Sequence, residues 1–153
     1  MRIADLQRGH FFERGSMIIP DALVPLLEGD TAPHFKAAGE GRLVVPHCKD
    51  CGHHWFPAAA ICPRCLSENV DWATLSGRAT LWSWCEFHRP YFKAVKGKVP
   101  YVVVAAALEE GPQLYGNLVE SDAGKLKVGM RLEAVFTPAE NGAGMVNFRA
   151  VGP

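Results

Sequence analysis

The sequence predicts a mainly β protein in three parts. These are a helical arm over residues 1–41, a small cysteine-bearing ribbon over 42–75 and a five-stranded barrel over 76–153. Three observations predict this. Four cysteines stand in two C-x-x-C pairs, Cys48/Cys51 and Cys62/Cys65, with ten residues between the pairs. After them come five runs rich in β-branched, aromatic and small apolar residues, separated by turn residues. Before them, Pro20, Pro25, Gly39 and Gly41 leave room only for short helices.

In the arm, Arg2 to Phe12 reads as a short helix. Met17-Ile18-Ile19-Pro20 reads as extended, because proline pushes its predecessor out of the α region. Asp21 is a candidate N-cap for a piece that Pro25 would end. A better helix starts at Thr31, its cap, with Pro33 in the first turn, and runs to about Ala38 before Gly39 and Gly41 end it.

Arg42 to Pro46 is a short strand leading into the first cysteine pair, His53 to Pro57 a second one returning from it, and Asp71 to Leu75 closes the unit before the Ser76-Gly77 turn. A C-x-x-C knuckle turns tightly enough to offer two thiolates to one metal, and two knuckles complete a tetrahedral zinc shell. Cys48, Cys51, Cys62 and Cys65 are therefore the expected ligands of one structural zinc ion. A shell of four thiolates has no open position, so the site is expected to staple the chain rather than to catalyse. Two disulfides would need an exported protein, and the N-terminus carries Arg2, Asp5, Arg8 and Glu13 where a signal peptide is apolar. A cytoplasmic, reduced protein is the expectation. Nothing nearby points to iron and electron transfer. His47, His53 and His54 adjoin the first knuckle but find the shell already full.

The barrel strands are expected at Ala79 to His88, Tyr101 to Glu109, Gln113 to Val119, Arg131 to Thr137 and Met145 to Val151. Leu114/Gly116/Leu118 and Leu132/Ala134/Phe136 alternate with more polar positions, as half-buried strands do. Val102 to Leu108 is apolar on both faces and reads as central. Five short antiparallel strands suit the OB-fold, with Lys125 to Gly129 re-entering the barrel. In the first strand Cys85 shares a face with Leu81, Ser83 and Phe87, which predicts a buried core residue. Trp82 and Trp84 share the other face and would mark an interface if exposed, while Trp55 and Trp72 are expected to pack ribbon against barrel.

Composition narrows the function. Sixteen Lys and Arg balance sixteen Asp and Glu among 153 residues, with no basic excess of the kind that phosphate-driven nucleic-acid binding uses. Apolar runs are too short to span a bilayer, so no membrane role is expected. No Ser-His-Asp set, Gly-rich phosphate loop or paired carboxylates emerge. Cys85 is the one candidate nucleophile, and His88 falls on the opposite strand face.

A longer progression of motifs is more specific than any one of these. It runs from Thr31-Ala-Pro-His-Phe-Lys-Ala-Ala-Gly-Glu-Gly-Arg-Leu43 through Cys48-x-x-Cys51-Gly52, Trp55-Phe56-Pro57 and Cys62-Pro63-x-Cys65. Trp72, Ser76-Gly77-Arg78-Ala79-Thr80, Phe87-His88-Arg89-Pro90, Pro100-Tyr101-Val102-Val103, Gly116-Asn117-Leu118-Val119 and Val128-Gly129-Met130 follow. From about residue 31 to the C-terminus this resembles the thiolase-associated OB-fold proteins with a rubredoxin-like zinc ribbon, first catalogued as a domain of unknown function. The resemblance implies a non-catalytic accessory subunit, in a hetero-oligomer with a thiolase-like acyltransferase, aldolase or synthase, or with a MaoC-type enoyl-CoA hydratase. It also implies acyl-CoA as the ligand of the barrel. One position departs from the family: Leu66 follows the second knuckle, where the family usually has glycine and the backbone often needs φ > 0.

The segment His88 to Lys98 joins the first two barrel strands, where OB-folds carry a binding loop. Arg89, Lys93, Lys96 and Lys98 supply four cations, and Tyr91 and Phe92 two rings, with no acid among them. Such a loop can grip the phosphates of CoA and stack on its adenine, or hold single-stranded nucleic acid by the same physics. The resemblance favours CoA.

Overall fold

The computed structural model describes residues 23–152. The expectations for Arg2–Phe12, Met17–Pro20 and Asp21 lie outside the described residues. A single helix, α1 (Ala32–Gly39), precedes seven strands: β1 (Leu43–Cys48), β2 (Val70–Leu75), β3 (Arg78–Phe87), β4 (Tyr101–Leu108), β5 (Gln113–Asn117), β6 (Arg131–Pro138) and β7 (Gly144–Ala150).

Thr31 stands at the N-cap of α1, but its backbone is already helical (φ −90°, ψ −10°) and its side chain makes no capping bond. Its carbonyl accepts the His34 and Phe35 amides instead. Gly41, at φ +77°, closes the other end with its amide on the Ala38 carbonyl. The helix lies on the hairpin of β6 and β7 through two glycines. A Cβ on Gly39 would overlap the Gly142 carbonyl, and one on Gly144 would overlap the Ala38–Gly39 backbone.

β1 and β2 pair antiparallel from Leu43 opposite Leu75 to Cys48 opposite Val70. The return strand expected at His53 to Pro57 is reduced to one bridge, His54 to His47. Cys48 takes the His53 carbonyl and Trp55 the Pro46 carbonyl, and then Pro57 has no N–H to continue the ladder.

The five remaining strands form one sheet in the order β5-β4-β3-β6-β7. It closes where the chain beyond β5 meets β7 in parallel: Leu118 bridges Phe148, and the Val119 amide bonds the Phe148 carbonyl at 2.8 Å. Buried Asn147 ties the seam, accepting from the Asn117 amide at 3.1 Å and donating to Thr137 Oγ1 at 3.0 Å. This is the expected OB-fold. Its core, centred on Leu81, Val104, Leu132 and Phe148, also takes in Leu43, Val45 and Leu75 from the ribbon base, so ribbon and barrel share one interior. Trp55 and Trp72 are not among those core side chains. Trp55 packs on Cys48 and Cys62 inside the ribbon, and Trp72 lies half-buried opposite Pro46.

Cys85 corrects another expectation, for it is exposed. β3 carries a bulge between Leu81 and Ser83, so Leu81 lies opposite Ala106 but Ser83 opposite Ala105. One extra residue reverses which side chains face inward. After the bulge it is Trp84 that stands opposite the fully buried Val104, and Cys85 points outward with Val103. The hairpin of β3 and β4 also runs past the core: Trp82 is 66% exposed and Trp84 40%.

A candidate metal centre and a cationic loop

The two knuckles have the same build. Gly52 donates its amide to the Cys48 carbonyl at 2.8 Å, and Leu66 donates to the Cys62 carbonyl at 2.9 Å. Gly52 needs φ +72° to do so, and Leu66 is forced to φ +62°, the left-handed conformation expected from its position. The Leu66 side chain is 76% exposed, so no packing compensates that backbone. Asp50, in the first knuckle, reaches across to the second. Its carboxylate accepts from Ser67 Oγ and, at 2.7 Å, from Asn69 Nδ2. Those two bonds hold the Asp50 carboxyl below the usual range.

The four thiols converge. Cys48 Sγ lies 3.5 Å from Cys65 Sγ and Cys51 Sγ 3.7 Å from Cys62 Sγ, and all four sulfurs fall within 4.8 Å of one another. Sulfurs at the corners of a tetrahedron with Zn–S of about 2.3 Å sit about 3.8 Å apart. Charge points the same way. Burial opposes ionisation of Cys48, but the Cys51 and Asp50 amides outweigh it and bring the thiol down to about 7. The Ser67 amide lowers the Cys65 thiol, yet the sulfurs of Cys51 and Cys48 push it up to about 12. Four thiolates this close cannot all ionise unless a cation sits among them. The donor set therefore fits a soft divalent metal, and the cluster can hold one. None of His47, His53 or His54 joins it: His47 and His54 face each other at 4.6 Å, and His53 stacks on Trp55.

One contact escaped sequence reasoning. His34, on the inner face of α1, is 3% exposed; its Nδ1–H donates to the Val44 carbonyl at 2.7 Å, and its ring lies 4.3 Å from Phe56. It locks helix to ribbon. Burial lowers its pKa despite the Val44 bond. The signal was there, a histidine at helical spacing with Ala37 and Ala38, both buried.

The segment after β3 is a loop with a short 3-10 turn, Lys93–Val95, pinned by buried Val95. Arg89, Tyr91, Phe92, Lys93, Lys96 and Lys98 are all exposed on it. Arg89 lies 6.0 Å from the Tyr91 ring, which meets Phe87 edge-on, while Phe87 stacks on Tyr101 across the hairpin. The loop's aromatics are thus continuous with the strands beneath them. Acid enters only at the rim, where Glu86 lies 3.4 Å from His88. Among the described residues no helix is long and apolar enough to cross a membrane.

Comparison with known proteins agrees with this architecture. Residues 35–71 match the family model described as the ChsH2 rubredoxin-like zinc ribbon domain, and residues 72–137 the ChsH2 C-terminal OB-fold domain. The chain is 33% identical over 95 residues to a DUF35 domain-containing scaffold protein of Methanocaldococcus jannaschii, covering 61% of this chain and 67% of that one. It is 31% identical over 129 residues to a probable enoyl-CoA hydratase alpha subunit of Thermomonospora curvata, covering 84% of this chain but spanning only 40% of that relative's length. Among solved structures it resembles a chain of the Ltp2-ChsH2(DUF35) aldolase, with a TM-score of 0.73 and 31% identity, over 82% of this chain and 98% of that one.

Proposed function

This chain belongs to the DUF35 family, in which a rubredoxin-like zinc ribbon precedes an OB-fold as in ChsH2, and from that membership we propose an accessory subunit that assembles with an acyl-CoA-processing enzyme. The observation that carries the reading is the end-to-end match to a chain of an assembly named as an aldolase. Two features of the site support it. The thiol cluster is closed, so a zinc ion held by Cys48, Cys51, Cys62 and Cys65 stabilises the ribbon and leaves no coordination site for substrate. Among the described residues, Cys85 is exposed without a base bonded to it, which fits a subunit that does not catalyse alone.

In this reading the barrel supports the ligand and the partner supplies the chemistry. Arg89, Lys93, Lys96 and Lys98 neutralise the phosphates of CoA, and Tyr91 and Phe92 take the adenine. The acyl end then extends beyond the loop into the partner. A thiolase-like aldolase, acyltransferase or synthase is the first choice of partner. The hydratase name of the Thermomonospora curvata relative favours a MaoC-type enoyl-CoA hydratase as the second.

Co-expression of the full chain with each such enzyme encoded beside its gene, followed by size exclusion and calorimetric titration with CoA, tests the proposal. Co-elution with one of them and saturable CoA binding are expected, and the enzyme that co-elutes decides between the two partners. Elution alone in every case, with no heat on CoA addition, sinks it.

A further inference from the structure

The barrel has an open edge. β3 pairs with β6 only over Arg78–Thr80, while its pairing with β4 continues to Phe87. Leu81 is the last residue covered on the β6 side, by the Met130 carbonyl and the Gly129 amide, both at 2.8 Å. Beyond the bulge no other described segment bonds that edge.

The direction of its backbone groups follows from the ladder. The Val102 carbonyl accepts from Leu118, on the β5 side of β4, and strand alternation turns Val104 the same way. Trp84 and Glu86, which lie opposite Val104 and Val102, therefore turn their N–H and C=O groups away from β4. Two donors and two acceptors are left in a row at strand spacing, with exposed Trp82, Trp84 and Cys85 around them. Natural proteins usually blunt such an edge with lysine, proline or a covering segment, and this one carries a single charge, Glu86.

We propose that the edge of β3 from Trp82 to Phe87 receives an extended strand of the acyl-CoA-processing partner, which continues the barrel sheet into the enzyme. This rests on the accessory-subunit reading and names the docking surface it needs. The occupant follows from continuity. β3 runs directly into the Arg89–Lys98 loop, so an enzyme acting on an acyl group held there must lie against this end of the hairpin. Main-chain bonds along the edge supply affinity, and the tryptophans select the side chains of the incoming strand.

Hydrogen exchange resolved at single residues tests this on the full chain and on its complex with the co-eluting enzyme. In the isolated chain the Trp84 and Glu86 amides are expected to exchange freely, while the Cys85 amide, turned to β4, is protected. In the complex Trp84 and Glu86 should slow by about tenfold or more, one hydrogen bond's worth. Glu86→Pro removes an edge donor that the barrel does not use, so it should keep the melting temperature and lose the complex; should it fail to fold, the exchange pattern alone decides. A complex in which both amides still exchange freely overturns the edge and leaves the accessory reading standing. Protection already present in the isolated chain, or appearing with concentration-dependent self-association, assigns the edge to the chain's own arm or to a second copy and overturns the proposal. Absence of any complex overturns both.

Discussion

Single residues carry costs that the fold explains. Leu66 adopts φ +62° with its side chain 76% exposed, so the knuckle forces a left-handed backbone on a residue whose Cβ resists it and regains nothing from packing. That conformation costs a non-glycine residue roughly 1–2 kcal/mol. Glycine pays part of this back through its freer unfolded chain. Leu66→Gly is therefore expected to stabilise the metal-loaded protein by about 1 kcal/mol in urea denaturation; a loss of stability would mean that the side chain is packed. His34 has the opposite character, a buried group that fits well only while neutral. Its folded pKa is lowered from 6.5 by burial, so between those values the unfolded chain binds more protons than the folded one. Stability must then rise with pH in that window and be lost as pH falls below about 6.5. His34→Gln should lower stability at neutral pH yet flatten the dependence between about pH 7 and 5.5 relative to the parent. Comparing the two slopes cancels any acid release of metal that both proteins share. Identical slopes would refute the assignment.

At the level of elements, close packing decides where the helix can sit. Gly39 and Gly144 let α1 rest directly on the β6–β7 hairpin, backbone against backbone. Gly144→Ala puts a methyl into the helix backbone, and since nothing flexible lies there to move aside, it should cost about 1–3 kcal/mol. A thermal melt checks this, and an unchanged midpoint would contradict the packing. Neither glycine announces this role in sequence, where Gly39 reads as a helix stop and Gly144 as part of a turn-rich connection. The same limit explains the other gaps between sequence and structure. Alternation in β4 to β7 reads correctly, because each of those strands keeps its phase against a single core. In β3 the phase is broken by a bulge at Trp82, and bulges carry no residue signature here, so Cys85 was placed inward when it points out. The return segment at His53–Pro57 looks strand-like by composition, yet it has only enough chain between knuckle and proline for one bridge. Cysteine spacing, by contrast, is a geometric constraint in its own right. A pair two residues apart must turn, and two such pairs on one small ribbon must meet, which is why the cluster was legible and its sulfurs do converge.

At the scale of the molecule, charge is balanced overall but not locally. With equal numbers of acids and bases the chain has no long-range field to draw anions in. Any grip on a phosphorylated ligand has to come from the Arg89–Lys98 loop at short range. That loop is well built for it: its only structural anchor is Val95, so its cations are exposed and contribute little to the fold. Binding and stability should therefore separate. The double substitution Lys93→Glu with Lys96→Glu should leave the melting temperature within about 2 °C of the parent, as surface changes usually do. It should also weaken CoA binding by at least about tenfold, since charge-assisted bonds to phosphate are lost and repulsion replaces them. The parent's affinity should fall as salt rises, and the variant's should fall less steeply, because fewer ion contacts remain to be screened. Loss of the 3′-phosphate, tested with dephospho-CoA, should narrow the gap between parent and variant if these lysines face that end of the ligand. An unchanged affinity in the double variant, with the fold intact, would move the ligand off this loop and leave the rings of Tyr91 and Phe92 as surface for the partner instead.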